Sequence, residues 1–196
     1  MEICGKENIN KMDRDELISR KRQEYLDYIE EHIRNVKHAW ENMINLPAIQ
    51  SFLAGFDNPR QLIAITADNV KVHDKSKYSE EEFEPYRRHF HYIDEKERVE
   101  SEEDFEKAWS HHKEVNMHHW NWWAEHNQSD KMSIPFVLEM CCDWIAMSMK
   151  FQKNNAYEWY LENKDEIILG VFQKSVMETI LTTYYKYYDI AGNKIK

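Results

Sequence analysis

Apolar residues recur at intervals of three and four along most of the chain. From Asp15 to Asn45, Ile18, Leu26, Ile29, Ile33, Val36, Trp40 and Met43 keep that rhythm, the signature of one long amphipathic helix, and Pro47 falls just past its expected end. A second helix is predicted from Asn58 to Asp74, with Pro59 in its first turn and Leu62, Ile63, Thr66, Val70 and His73 along one side. In HDKSKYSEEEFEPYRRHF, Ser79 with Glu82 three residues later fits a capping box opening a short helix, which Pro85 is expected to distort. The acidic stretch Asp94 to Glu103 reads as a loop. Ser101 is placed as the cap of a helix carrying Phe105, Ala108, Trp109 and His112, and Asn116 as a new N-cap after a break between His112 and His118. A helix from Ser133 should carry Phe136, Met140, Trp144, Met147 and Phe151, with two more over 156–168 and 171–189. The expected fold is all-α: one domain over 13–196, a compact bundle of six to eight helices, preceded by a loose arm over 1–12.

Composition supports that reading. Only 4 of 196 residues are glycine, against an average of about 7%, and glycine supplies the positive-φ corners that hairpins and dinucleotide-binding loops need. A formal charge of −10 argues against polymeric nucleic acid as a partner, since that contact rests on Lys and Arg neutralising phosphates. Cys4, Cys141 and Cys142 form neither a disulfide framework nor a CxxC zinc pattern, so a reducing, cytoplasmic setting is expected. No apolar run approaches the roughly 18 residues of a membrane span, and the N-terminus is too charged for a signal peptide. Ten histidines remain to be explained.

They are not scattered evenly. His32 lies between Ile29, Ile33 and Val36 and should point inward, whereas His38 faces elsewhere. His73 and Asp74 end the second helix, and adjacent side chains converge on one ion only where a helix stops or bends. His111, His112, His118 and His119 fall within nine residues, and Asp143 precedes Trp144 on the later apolar helix. Each signal alone suits a hydrogen-bonded boundary residue. Together, inward ionisable groups on four helices are costly unless they are paired or share a cation.

This order resembles the HD-domain superfamily of metal-dependent phosphohydrolases, whose helical bundle carries an H…HD…D pattern. The resemblance implies an HD-like fold in which His32 is the first ligand, His73 and Asp74 the HD pair, and Asp143 the terminal carboxylate. In two-metal members the additional histidines fall where His112 and one of His118 or His119 fall here. HDKSK is similar to the HDxxK form found in cyclic-dinucleotide phosphodiesterases, which would set Lys77 beside a substrate phosphate. The strings EHIRNVKHAW, HDKSKYSEEEFEPY, FEKAWSHHKEVNMHHWNWW, EMCCDW and EWY also resemble an uncharacterised bacterial and phage family, catalogued as a domain of unknown function, with HDxSKFxPxEFxPY and AWxHHxxxNPHHW strings. Met117 stands where that family tends to have proline.

Imidazole and carboxylate donors suit one or two ions of Mn²⁺, Fe²⁺, Co²⁺, Ni²⁺ or Zn²⁺, which would activate water and neutralise a phosphate oxygen. Asp74 is the candidate to bridge two ions or orient the water. Lys77, and after it Lys75, Arg87 and Arg88, are candidates to hold the phosphate. The lysines read equally as solvated loop residues, and the arginines as partners of the preceding acidic run. Trp122 is a candidate to line a pocket that stacks a base, in a cluster otherwise read as core; Cys141 and Cys142 read as packing residues. The leading expectation is a metal-dependent phosphohydrolase acting on a nucleotide or other small phosphorylated molecule, with no membrane partner. A di-iron oxygenase and a nucleotide- or protein-binding module without turnover are the alternatives.

Overall fold

The computed structural model describes residues 13–195, and the arm expected over 1–12 lies outside them. Helix α1 (Arg14–Ile44) is one continuous rod, about 46 Å long at 1.5 Å per residue. Its buried residues, Tyr25, Ile29, His32, Val36, Ala39, Trp40 and Met43, follow the three-and-four spacing of a single face. That face lies along α8 (Ile134–Phe151), which also packs against α3 (Pro59–Val72) and α10 (Val171–Tyr184). Ten of the 18 residues of α8 are buried, so this helix is enclosed around most of its circumference, as expected for an element apolar on several faces.

Two apolar clusters result. The larger joins Val36, Met43, Leu138, Ile145, Met177, Ile180 and their neighbours. The smaller brings Tyr25 and Ile29 of α1 against Tyr86 of α4 (Phe83–Phe90) and Ala108 of α6 (Glu102–Val115). On α1, His32 stands between Ile29 of the small cluster and Val36 of the large one, so the seam between the clusters is where its ring enters the interior.

The described residues hold ten α-helices and two short 3₁₀ segments, more than the six to eight expected. Two helices account for the excess. Pro47 starts α2 (Pro47–Leu53) instead of merely following α1, because proline's missing N–H costs nothing at a first helical position. The acidic stretch forms α5 (Glu95–Glu100), capped by Asp94, whose carboxylate accepts from the Glu97 amide at 2.8 Å; charge alone had concealed a capped helix. Three caps also differ from expectation. Ser79 and Glu82 form no capping box at α4, because Glu82 is turned inward. Ser101 stands at the start of α6, but its hydroxyl donates back to the Arg98 carbonyl. Asn116 ends α6, and α7 (Trp120–Glu125) begins only after His119. Pro85 sits in the first turn of α4, where it leaves the helix intact. A reciprocal capping box does open α9 (Ala156–Asn163), between Asn155 and Glu158.

No described helix is long and apolar enough to cross a membrane. Because Ile145 is fully buried on the helix that the others share, Ile145→Ala is expected to lower unfolding free energy by about 2–5 kcal/mol, measured as a shift in urea midpoint at unchanged slope. A loss below about 1 kcal/mol would show that α8 is not the packing centre.

Candidate metal centre

Each inward polar residue is placed by the local form of the chain. His32 continues the buried stripe of α1. On α3, Leu62, Thr66 and Val70 are buried, and the stripe passes directly to His73. There the helix stops: His73 is extended (φ −46°, ψ 130°) and Asp74 is left-handed (φ 54°, ψ 20°). This reversal lets two adjacent side chains meet on one side of the backbone. Aspartate is among the residues that tolerate the left-handed region best, yet such a conformation still costs on the order of 1–3 kcal/mol. His112 follows Ala108 by one turn on the buried side of α6. The break after Val115 then carries His118 inward, and α8 presents Glu139 and Asp143 one turn apart.

The seven predicted ligands meet around Asp74, whose two oxygens face different partners. Oδ2 lies 3.6 Å from Nε2 of both His32 and His73, and His32 Nε2 is 3.2 Å from Asp143 Oδ1. Oδ1 lies 3.3 Å from His112 Nε2 and 3.7 Å from His118 Nε2. His119 packs against His118 and His112, with ring centroids at 4.2 and 4.8 Å. Ligand atoms of His32, His73 and Asp74 lie within 4.8 Å of one another, as do those of Asp74, His118 and His119. Asp74 Oδ1, His118 Nε2 and His119 Nε2 are buried without a hydrogen-bond partner. Buried polar atoms are normally satisfied, so three such atoms facing one space fit a cation held between them.

Two carboxylates absent from the predicted set support the imidazoles from behind. Glu139 Oε1 is hydrogen-bonded to His73 Nδ1 at 3.0 Å and lies 3.2 Å from His118 Nδ1. The carboxyl of Glu82, fully buried, meets His112 Nδ1 at 2.7 Å and His111 Nδ1 at 2.9 Å. A carboxylate on Nδ1 fixes the ring and leaves Nε2 to face the centre, the usual support of a metal-binding histidine. Sequence signals for both existed. Glu139 precedes Asp143 by one helical turn in an otherwise apolar segment, and Glu82 was visible but assigned to a cap.

Electrostatics keep these acids ionised. Burial alone would raise the Asp74 carboxyl, but His73, Lys77 and His112 hold it well below its ordinary range. Asp143 is lowered likewise against burial, chiefly by His32. Glu139 is brought to about 2 because His118 and His73 outweigh its desolvation. Burial is opposed by Asp74 at His112, whose value rises, whereas His119 is driven well below the normal imidazole range by burial and by His118 and His112. His119 is therefore a neutral donor.

The remaining candidates divide. Lys77, in the 3₁₀ turn Lys75–Tyr78, reaches the centre with Nζ 2.7 Å from Asp74 Oδ2, and its ammonium is favoured by Asp74 against burial. Lys75 is exposed on the same turn. Arg87 does not join the centre: its guanidinium is bound by both oxygens of Glu97 at 2.9 Å and by Glu84 at 3.0–3.1 Å, which satisfies its donors within the scaffold. Arg88 pairs with Asp104 at 3.1 Å. Trp122 stacks on His126 and meets Trp123 edge-on. His38 contacts Asn42. Cys141 and Cys142 are buried, with thiol pKa values raised by desolvation, as packing residues should be.

Over residues 21–185 the chain matches a family of unknown function, DUF5662, and belongs to it. No curated protein and no solved structure matches the chain.

The Glu139 shift has a signed consequence. A carboxyl whose value falls on folding adds stability that is whole above its unfolded value, near 4.5, and is lost as pH drops toward about 2. Urea melts of metal-free protein at pH 7, 5 and 3 should therefore show Glu139→Gln less stable than wild type at pH 7, with the gap narrowing at pH 3. A gap independent of pH would mean that the carboxylate is not held ionised by the two histidines.

Proposed function

We propose that the chain is a metal-dependent phosphohydrolase of the HD type, acting on a nucleotide or other small phosphorylated substrate. The observation that carries this reading is the Asp74 carboxylate, 2% exposed, with His32 and His73 on one oxygen and His112 and His118 on the other. Such an arrangement suits a bridging ligand: His32, His73, Asp74 and Asp143 would form one set, and Asp74, His112, His118 and His119 the other. All donors are nitrogen or oxygen, which favours Mn²⁺, Fe²⁺, Co²⁺, Ni²⁺ or Zn²⁺ over thiolate-seeking ions. A divalent ion bound there would bring the pKa of a water toward neutrality and polarise a phosphoryl oxygen.

The chain's own residues supply the rest of the chemistry. Lys77 places an ammonium beside Asp74, where it would hold a non-bridging phosphate oxygen while keeping Asp74 anionic. Glu139 and Glu82 fix the tautomers of His73 and His112 through Nδ1, so that Nε2 carries the lone pair facing the centre. Enclosure between two apolar clusters limits bulk water, which strengthens each of these interactions. The negative charge of the whole chain favours a small substrate, whose phosphate is attracted by the centre alone, over a polymer that needs a basic surface.

Metal content by elemental analysis, followed by phosphate release over a nucleotide panel with Mn²⁺, Co²⁺, Ni²⁺ and Fe²⁺, tests the reading. Wild type should retain metal and release phosphate; Asp74→Ala should lose both. Glu82→Gln should weaken metal binding roughly 10- to 100-fold, the usual cost of removing a histidine's carboxylate partner. Absence of metal uptake on titration would overturn the proposal. Iron-dependent oxygen consumption with intact phosphate esters would reassign the centre to an oxygenase, and nucleotide binding without turnover under all four metals to a binding module.

A further inference from the structure

A cavity of about 550 Å³ opens between α8 and α9 with Asp143 in its wall. Asp143 thus belongs to two places: its carboxylate is 3.2 Å from His32 Nε2, and its side chain keeps 15% exposure where His32 has 5% and Asp74 3%. On this side a molecule bound at the cluster has room to extend. The cavity is large enough for a small organic ligand, for which about 300–1,000 Å³ is typical.

We infer that this cavity receives a heteroaromatic base, the organic part of the substrate whose phosphate lies at the cluster. The inference rests on the phosphohydrolase reading for the position of that phosphate, and goes beyond it in assigning the substrate class to particular residues. Trp144 and Trp159 meet edge to face at 5.1 Å in the wall. Trp159 is 40% exposed and Phe151 58%, so two large aromatic rings stand at the opening without being used up by the core. Met147 adds a side chain that adapts to a ligand's shape.

The polar groups in the same wall argue against a plain alkyl occupant. Asn154 Nδ2 donates to Glu162 Oε2 at 2.8 Å, which leaves the Asn154 carbonyl and the second Glu162 oxygen to meet ring N–H groups. Lys153, also in the wall, makes no ion pair among the described residues. An alkyl chain has no atoms that pair with these solvent-facing groups, whereas a flat base stacks its face on indole and turns a hydrogen-bonding edge to the amide and carboxylate. Trp122, the tryptophan singled out from the sequence, lines no part of this cavity; Trp144 and Trp159 do.

Isothermal titration with AMP, UMP, hexyl phosphate and inorganic phosphate on metal-loaded protein, and with adenosine on metal-free protein, tests the assignment. AMP and UMP should bind at least about tenfold tighter than inorganic phosphate or hexyl phosphate, and adenosine should bind without metal. Trp159→Ala should lower affinity for AMP and adenosine about tenfold, in line with the usual contribution of one stacking ring, while metal content and phosphate affinity stay unchanged. Trp159→Phe, which keeps a ring, should restore most of the loss, and guards against a fold defect in the alanine variant. Hexyl phosphate matching AMP, or an alanine variant with wild-type AMP affinity, would overturn the inference. Failure of the metal reading would appear separately, as adenosine binding in a protein that takes up no metal.

Discussion

Burying the Asp74 carboxylate is the constraint around which this chain is organised. An isolated ionised carboxylate in a protein interior is prohibitively costly, and the ordinary response is to take up a proton. Here the opposite holds: the carboxyl is lowered against its own desolvation by His73, Lys77 and His112. That requires positive or donor groups from three directions at under 4 Å, and hence helices α1, α3, α6 and α8 brought to one point. The left-handed backbone at Asp74 belongs to the same requirement. A helical Asp74 would point roughly 100° away from His73 around the helix axis, and the pair could not share a partner. The strain there is small beside the cost of leaving the carboxylate without its neighbours.

Packing explains why the polar centre does not unravel the core. His32 separates two apolar clusters along a single face of α1, so the cluster occupies a seam and interrupts neither. The clusters hold the helices rigidly on both sides, while Glu139 and Glu82 lock the imidazoles by their second nitrogens. Apolar burial sets the distances between backbones, and carboxylate–imidazole contacts set the directions in which rings point. Arg87 serves the same end further out: its contact with Glu97 ties α4 to α5, and its contact with Glu84 within α4 fixes the guanidinium, near the turn that carries Lys77.

Much of this was legible in the chain. The spacing of Ile29, His32 and Val36 put a histidine on a buried stripe, and the adjacency of His73 and Asp74 at the expected end of the second helix marked where that helix must stop or bend for both to face one ion. The missed pieces share a cause. Periodicity identifies which face is buried but not what a polar residue on that face touches, so nothing in the spacing of the apolar helix singles out Glu139. Cap rules are local, and Glu82 obeyed one on paper while a tertiary contact with His111 and His112 prevailed. Arg87, a candidate to hold the phosphate, is drawn away from the centre for a similar reason, because Glu84 one turn earlier on its own helix and Glu97 on α5 claim its guanidinium. His118 and His119 were inseparable because the break after Val115 removes helical phase; the folded chain brings both to the centre.

The charge of the centre bears on how many ions the proposed reaction would need. Four carboxylates, Asp74, Asp143, Glu139 and Glu82, are all lowered and so ionised at neutral pH, and within hydrogen-bond range of Asp74 stands one lysine, Lys77. With every imidazole neutral, as a metal ligand must be, the four carboxylates and Lys77 sum to about −3 before any ion is counted, a charge that repels phosphate. One divalent ion leaves it near −1, still unfavourable for an anion in a poorly solvated site. Two bring it to about +1, the first state in which a phosphate ester is drawn in without help from a basic surface. The division of Asp74's oxygens between two histidine sets offers places for that number, and under the proposed reading an acidic protein with few cations to spare would gain its anion affinity from the same ions that would activate the water.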